Sequence, residues 1–187
     1  MTLHLLAVSG SIRAGSFNTA LARASVRLAP PGVSVEVLDM IRDLPYYDPD
    51  IDIDPVPAAA VELRRRLAQA DGIILFTPEY NFGLPGGFKN LIDWASRPYG
   101  NHCLVGKPVA VLGSSPSGGG AAKSVTYLHT VLPLIGVELL DEEVTIGNVN
   151  KLLDPATGSP NPELADQLAS MIAQLAAAAA AKKAQLT

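Results

Sequence analysis

Short, nearly unbroken apolar runs alternate along the chain with longer stretches of helical spacing. Residues 3–8 are an apolar run closed by Ser9-Gly10-Ser11, which predicts a first strand. Residues 18–28 have helical spacing, with Leu21, Ala24, Ser25 and Leu28 on one face, and Pro30-Pro31-Gly32 ends them. Residues 33–38 alternate apolar and polar positions as a second strand. A Pro- and Asp-rich loop covers 43–57, and a helix over 58–70 carries Val61, Leu63 and Leu67 as core contacts. Residues 72–77, GIILFT, are almost wholly apolar, as a central parallel strand covered on both faces must be. A Pro/Gly-rich loop (78–87), a helix (88–96), a fourth strand (108–112), a helix (121–134), a fifth strand (137–144) and a last helix (162–181) complete the order. Five strand–helix units without repeat or linker predict an α/β class. The expected architecture is a doubly wound five-stranded parallel sheet with helices on both faces, as a single domain over residues 1–187.

In such sheets ligands sit beyond the carboxyl ends of the strands, where the strand order reverses. The three most unusual loops fall on that edge. After strand one come Ser11, Arg13, Ser16, Asn18 and Thr19 at the start of a helix, where free backbone N–H groups, hydroxyls and one fixed cation can cradle a phosphate. The same residues also suit a glycine turn capped by Ser16 or Asn18, with Arg13 in solvent. Neither a phosphate loop ending in Gly-Lys-Ser/Thr nor a Gly-x-Gly-x-x-Gly fingerprint is present, which disfavours NAD as a resident cofactor there. After strand three, Pro78-Glu79-Tyr80-Asn81 precedes Gly83-Leu84-Pro85-Gly86-Gly87, a constrained path whose amides can meet the edge of a flat heterocycle. Glu79 reads either as a general acid or as a capping carboxylate. After strand four comes the Ser/Gly run 113–120, a hydroxyl-rich backbone beside the same edge or a mobile loop. It is not a nucleophile elbow.

Composition narrows the options. Net charge is −4, so a nucleic acid is not expected as a partner, and Arg64-Arg65-Arg66 reads as a solvated face or a set of local charge partners. Cys103 is the one cysteine and reads as an ordinary thiol. His4, His102 and His129 are scattered without metal or triad spacing, so no metal site and no side-chain catalyst are expected. The apolar N-terminal run is short and lacks a basic leader, and no stretch approaches the roughly 18 apolar residues of a membrane span. A cytoplasmic protein without membrane insertion is the expectation.

Three runs, GSIRAGSFNTALA, TPEYNFGLPGGFKNLIDWASRP and GKPVAVLGSSPSGGGA, resemble the NADPH-dependent FMN reductase family, on the branch of the bacterial chromate and quinone reductases. The tail Leu153-Asp154-Pro155-Ala156-Thr157-Gly158 resembles that branch too. The likeness covers nearly the whole chain, and its middle block is the most specific part. It implies a flavodoxin-like fold, bound FMN, NADPH or NADH as reductant, and ping-pong transfer to a small acceptor. That acceptor would be a quinone, chromate, an azo or nitro compound, or free flavin. The resemblance assigns Ser11, Arg13, Ser16, Asn18 and Thr19 to the phosphate and ribityl end, and Pro78, Glu79, Tyr80 and Asn81 to the isoalloxazine. Ser115 would touch the flavin from the third loop, with Ser114, Ser117 and Gly118 close by. A homodimer or homotetramer is implied, with residues 88–94 helping to form a subunit interface, so that their aromatics need not be core. The chain departs from the pattern at Gly83, where relatives often carry serine. It departs again near Lys123 and Thr126, where they carry an intersubunit arginine and tyrosine. A flavodoxin-like electron carrier is the alternative, although carriers tend to be more acidic and lack the Pro-Glu-Tyr-Asn block.

Overall fold

Three strands with almost no polar side chains dictate the layers around them. The computed structural model describes residues 2–154 and 156–185. β1 (Leu3–Ser9), β3 (Gly72–Thr77) and β4 (Pro108–Ser114) are parallel neighbours, and β3 and β4 are buried along their whole length. Side chains alternate between the two faces of a strand. Leu5, Ala7, Ile74, Phe76, Ala110 and Leu112 therefore pack into one layer, with α1 (Phe17–Leu28) and α5 (Pro162–Gln185). Leu6, Val8, Ile73, Leu75, Val109 and Val111 pack into the other, with α2 (Ala58–Gln69), α3 (Gly86–Ala95) and α4 (Ala122–Leu134). β2 (Val33–Leu38) lies outside β1, so the order runs β2-β1-β3-β4. This is the α/β doubly wound arrangement that the apolar runs predict.

The fifth strand position differs from expectation. Two short strands fill it: β5 (Glu138–Leu139) pairs with the start of β4 and β6 (Val144–Ile146) with its end. Between them Asp141, Glu142 and Glu143 are exposed, because three consecutive carboxylates cannot enter a covered sheet. Val61 is also not a core residue: it is 52% exposed, while Ala60, Leu63 and Leu67 form the buried stripe of α2. Phe88 and Trp94 are fully buried, so the aromatics of α3, which the sequence left free of the core, belong to it.

Those aromatics hold the long connection after β2 in place. The carbonyl of Pro45 accepts from Trp94 Nε1 and Asn90 Nδ2, both at 2.8 Å, and Tyr47 meets Trp94 edge to face with centroids 5.1 Å apart. Arg64 forks onto Asp52 at 2.7 and 2.9 Å and donates to the Trp94 carbonyl at 2.9 Å. Arg65 pairs with Glu62 and Arg66 with Glu36, so the arginine run is a set of local charge partners. α5 is long and apolar enough in composition to cross a membrane. Its apolar side, including Leu164, Leu168, Ile172 and Leu175, is instead buried against the sheet. Lys183 ties its end to Asp71 at 2.8 Å.

Two outcomes follow from this packing. A Cβ on Gly10 would stand 2.3 Å from Cδ1 of Phe88. Gly10→Ala is expected to cost about 1–3 kcal/mol in thermal unfolding, while Gly86→Ala, with open space around it, stays neutral. An unchanged midpoint for Gly10→Ala would show that the Phe88 ring moves freely. Burial acts to raise the Asp71 carboxyl, but the hydrogen bonds from Lys183 and from the His4 N–H outweigh it and hold the group below its ordinary value. Its stabilisation is present above the unfolded carboxylate range, near about pH 4, and is lost as pH falls through the lower folded value. Asp71→Asn is expected to lower stability by about 1 kcal/mol at neutral pH, with the gap closing in strong acid. Parallel stability curves down to low pH would contradict this.

Candidate functional site

The strand register fixes where the loops meet. Ser9 lies opposite Phe76, Phe76 opposite Leu112 and Thr77 opposite Gly113, so β1, β3 and β4 end level. The chain leaves β1 outward to β2 and returns across it to β3, which places the reversal of strand order between β1 and β3. A cleft of about 300 Å³ opens there, between the loops after β1, β3 and β4. Ser11, Arg13, Ser16, Asn18, Pro78, Glu79, Tyr80 and Ser115 line it, joined by Phe17, Ser114 and Pro116.

The first loop is folded by its own hydroxyls. Ser9 Oγ accepts from the Ser11 N–H, and Ser11 Oγ accepts from the Arg13 N–H. Ser16 caps α1, its Oγ accepting from the Thr19 N–H at 3.2 Å. The Phe17 and Asn18 N–H groups lie in the first turn, where no intrahelical acceptor exists. Arg13 is exposed, its guanidinium 5.5 Å from the Phe17 ring centroid. Asn18 Nδ2 donates to the Ser114 carbonyl at 3.1 Å and so links α1 to the end of β4. Asn18 Oδ1 and Ser114 Oγ are buried, and neither has a hydrogen-bond partner among the described residues. Buried polar atoms in folded proteins are almost always paired, and both of these belong to residues that line the cleft.

The second loop is a tight hairpin clamped to α4. Tyr80 and Gly83 exchange two backbone hydrogen bonds, at 3.1 and 3.0 Å, around Asn81 and Phe82. Both central residues have positive φ, 51° and 61°, the geometry of a two-residue turn that favours Asn and Gly. Phe82 adopts it at a cost and leaves its ring 82% exposed. Glu79 accepts from the Lys123 N–H at 2.8 Å, and Ser124 Oγ donates to the Gly83 carbonyl at 3.0 Å. Of the two readings of Glu79, the geometry favours the capping carboxylate. In the third loop Ser115 and Ser117 share a hydrogen bond at 2.8 Å. Ser117 and Ser115 then accept from the Asn148 and Val149 N–H groups, so the loop is tied to the segment after β6.

Thr19, Asn81, Ser117 and Gly118 stand beside the cleft and do not line it. Thr19 Oγ1 is 2.8 Å from Ser9 Oγ, and Gly118 packs against Gly147. Phe17 and Pro116 line the cleft without having been assigned to it from the sequence. The histidines are elsewhere. His4 on β1 faces Glu36 on β2, burial lowers the His102 and His129 pKa values, and burial pushes the Cys103 thiol up, as befits an unreactive thiol.

FMN fits this donor set. The free N–H groups, the serines and Arg13 suit a phosphate, the orphaned Asn18 Oδ1 and Ser114 Oγ suit hydroxyls of a ribityl chain, and Pro78, Tyr80 and Pro116 offer flat walls for a ring.

Comparison with known proteins agrees. Residues 3–151 match the family model for NADPH-dependent FMN reductase. A quinone reductase of Escherichia coli K12 is 38% identical over 159 residues, 83% of this chain and 84% of the relative. A 2-hydroxy-1,4-benzoquinone reductase of a Burkholderia species is 40% identical over 142 residues, 76% of each chain. The structure of the flavoenzyme NAD(P)H:(acceptor) oxidoreductase FerB from Paracoccus denitrificans superimposes with a TM-score of 0.84, covering 97% of this chain and 99% of that one at 30% identity. The chain belongs to the NADPH-dependent FMN reductase family, flavodoxin-like oxidoreductases that use FMN and a reduced nicotinamide.

Proposed function

We propose that this chain is a cytoplasmic, single-domain quinone reductase that oxidises NAD(P)H and passes the electrons to a small planar acceptor by a ping-pong cycle. The carrying observation is the cleft between the loops after β1, β3 and β4, where the buried Asn18 Oδ1 and Ser114 Oγ lack partners beside the free end of α1. The names of the relatives support quinones as the acceptor class.

FMN, when bound, supplies the hydride and electron chemistry. The chain orients it. Arg13, Ser11, Ser16 and the first-turn N–H groups of α1 hold the phosphate, with the helix dipole favouring its charge. Asn18 and Ser114 fix the chain between phosphate and ring. Pro78, Glu79, Tyr80, Asn81 and Ser115 fix the ring edge, and the Glu79 and Ser124 bonds to α4 hold that loop still. In this reading the cleft serves reductant and acceptor in turn, as ping-pong exchange requires. The exposed side chains Tyr99 and Tyr127, which line a groove between α3 and α4, support a homodimer or homotetramer.

The test is spectroscopic. Purified protein desalted after FMN addition is expected to retain a flavin spectrum, to bleach with NADPH or NADH under anaerobic conditions, and to recover on adding benzoquinone. Parallel double-reciprocal plots would accompany it. Retained flavin that neither nicotinamide bleaches would instead mark an electron carrier. Asn18→Ala is expected to weaken FMN binding by about tenfold, the scale of one buried hydrogen bond, read by flavin fluorescence. Unchanged affinity would remove Asn18 from the site.

A further inference from the structure

A second groove adjoins the cleft. It has a volume of about 480 Å³, runs along α1 under the segment 150–158, and shares Ser16 and Phe17 with the cleft lining. Its cationic wall is Arg23 and Arg27. The positions 16, 20, 23 and 27 follow one face of α1. Arg23 lies about 10 Å along the axis from the cap.

The charge pattern points to a phosphate. Arg64, Arg65 and Arg66 each have a carboxylate partner. Among the described residues, Arg13, Arg23 and Arg27 pair with none; Arg13 rests on Phe17, and Arg27 reaches only the Ser159 hydroxyl at 3.5 Å. Arg42 and Arg97 also lack a carboxylate but donate to the Ile12 carbonyl and the Tyr47 hydroxyl, so in a chain of net charge −4 three of the five guanidiniums without a carboxylate partner lie along one groove and its junction with the cofactor cleft. One carboxylate, Asp154, also lines the groove. Its Oδ1 is occupied by the N–H groups of Ala156 and Thr157 and by the Thr157 hydroxyl, and it folds the loop without reaching either arginine. Thr157 and Asn150 add neutral polar groups. Two guanidiniums on one helix face match a phosphate dianion, whereas a small planar acceptor needs the flat walls of the cleft and no basic groove beyond them.

We propose that Arg23 and Arg27 bind the 2′-phosphate of NADPH in this groove, which adjoins the cofactor cleft at Ser16 and Phe17. The assignment rests on the reading that a reduced nicotinamide works in the neighbouring cleft, and it makes NADPH the preferred reductant.

The experiment uses the FMN-loaded protein and an Arg23→Ala/Arg27→Ala variant; both side chains are exposed, so the fold is retained. In calorimetry 2′,5′-ADP is expected to bind the parent and not the variant, and 5′-AMP to bind both poorly. With loss of one or two charge-assisted contacts, kcat/KM for NADPH is expected to fall about tenfold or more while NADH changes less than about twofold. Flavin retention should be the same in both. Equal binding of 2′,5′-ADP to parent and variant, no binding to the parent, or equal losses for NADPH and NADH would each overturn the proposal. A protein that retains no flavin would defeat the preceding reading, while the 2′,5′-ADP titration would still decide the groove.

Discussion

Everything functional here depends on three central strands whose side chains are almost all apolar. β3 and β4 are buried on both faces and β1 nearly so, so apolar residues must occupy both sides and helices must cover them. Polar chemistry is thereby expelled to the strand ends. The level register of Ser9, Phe76 and Leu112 collects it at one edge, and the crossing from β2 back over β1 to β3 opens that edge into a cleft. The fold positions the site as a by-product of its own core.

Much of this was legible because parallel strands write their burial directly into the sequence. GIILFT could be little else, and the loops after the apolar runs had to share an edge once the sheet was parallel. What the sequence concealed was decided by contacts across many residues. Whether Trp94 belonged to the core or to an interface turned on Pro45 and Arg64, 49 and 30 positions away. Val61 was misplaced because it lies one position off the Ala60–Leu63–Leu67 stripe, a phase error that hydrophobicity alone does not reveal. The break in the fifth strand was written in Asp141-Glu142-Glu143, yet an apolar run on either side masked it.

The site itself was half legible. Residue types and their loops announced a phosphate and a ring. Sequence could not show that Ser16 is at once helix cap and cleft wall, that Glu79 is engaged by the Lys123 N–H, or that Thr19 turns inward to Ser9. Nor could it distinguish paired from unpaired arginines, since the partners of Arg64 and Arg66 sit 12 and 30 residues away.

The hydrogen bond from Asn18 to the Ser114 carbonyl joins α1 to β4 and leaves the other half of the same amide without a partner. Dehydrated polar atoms of this kind burden the native state until something satisfies them. Ligand that binds only the folded form shifts the unfolding equilibrium with the logarithm of its concentration. A ligand that fills the cleft and satisfies these atoms therefore acts on the fold as well as on the chemistry, and the folded fraction rises with its concentration.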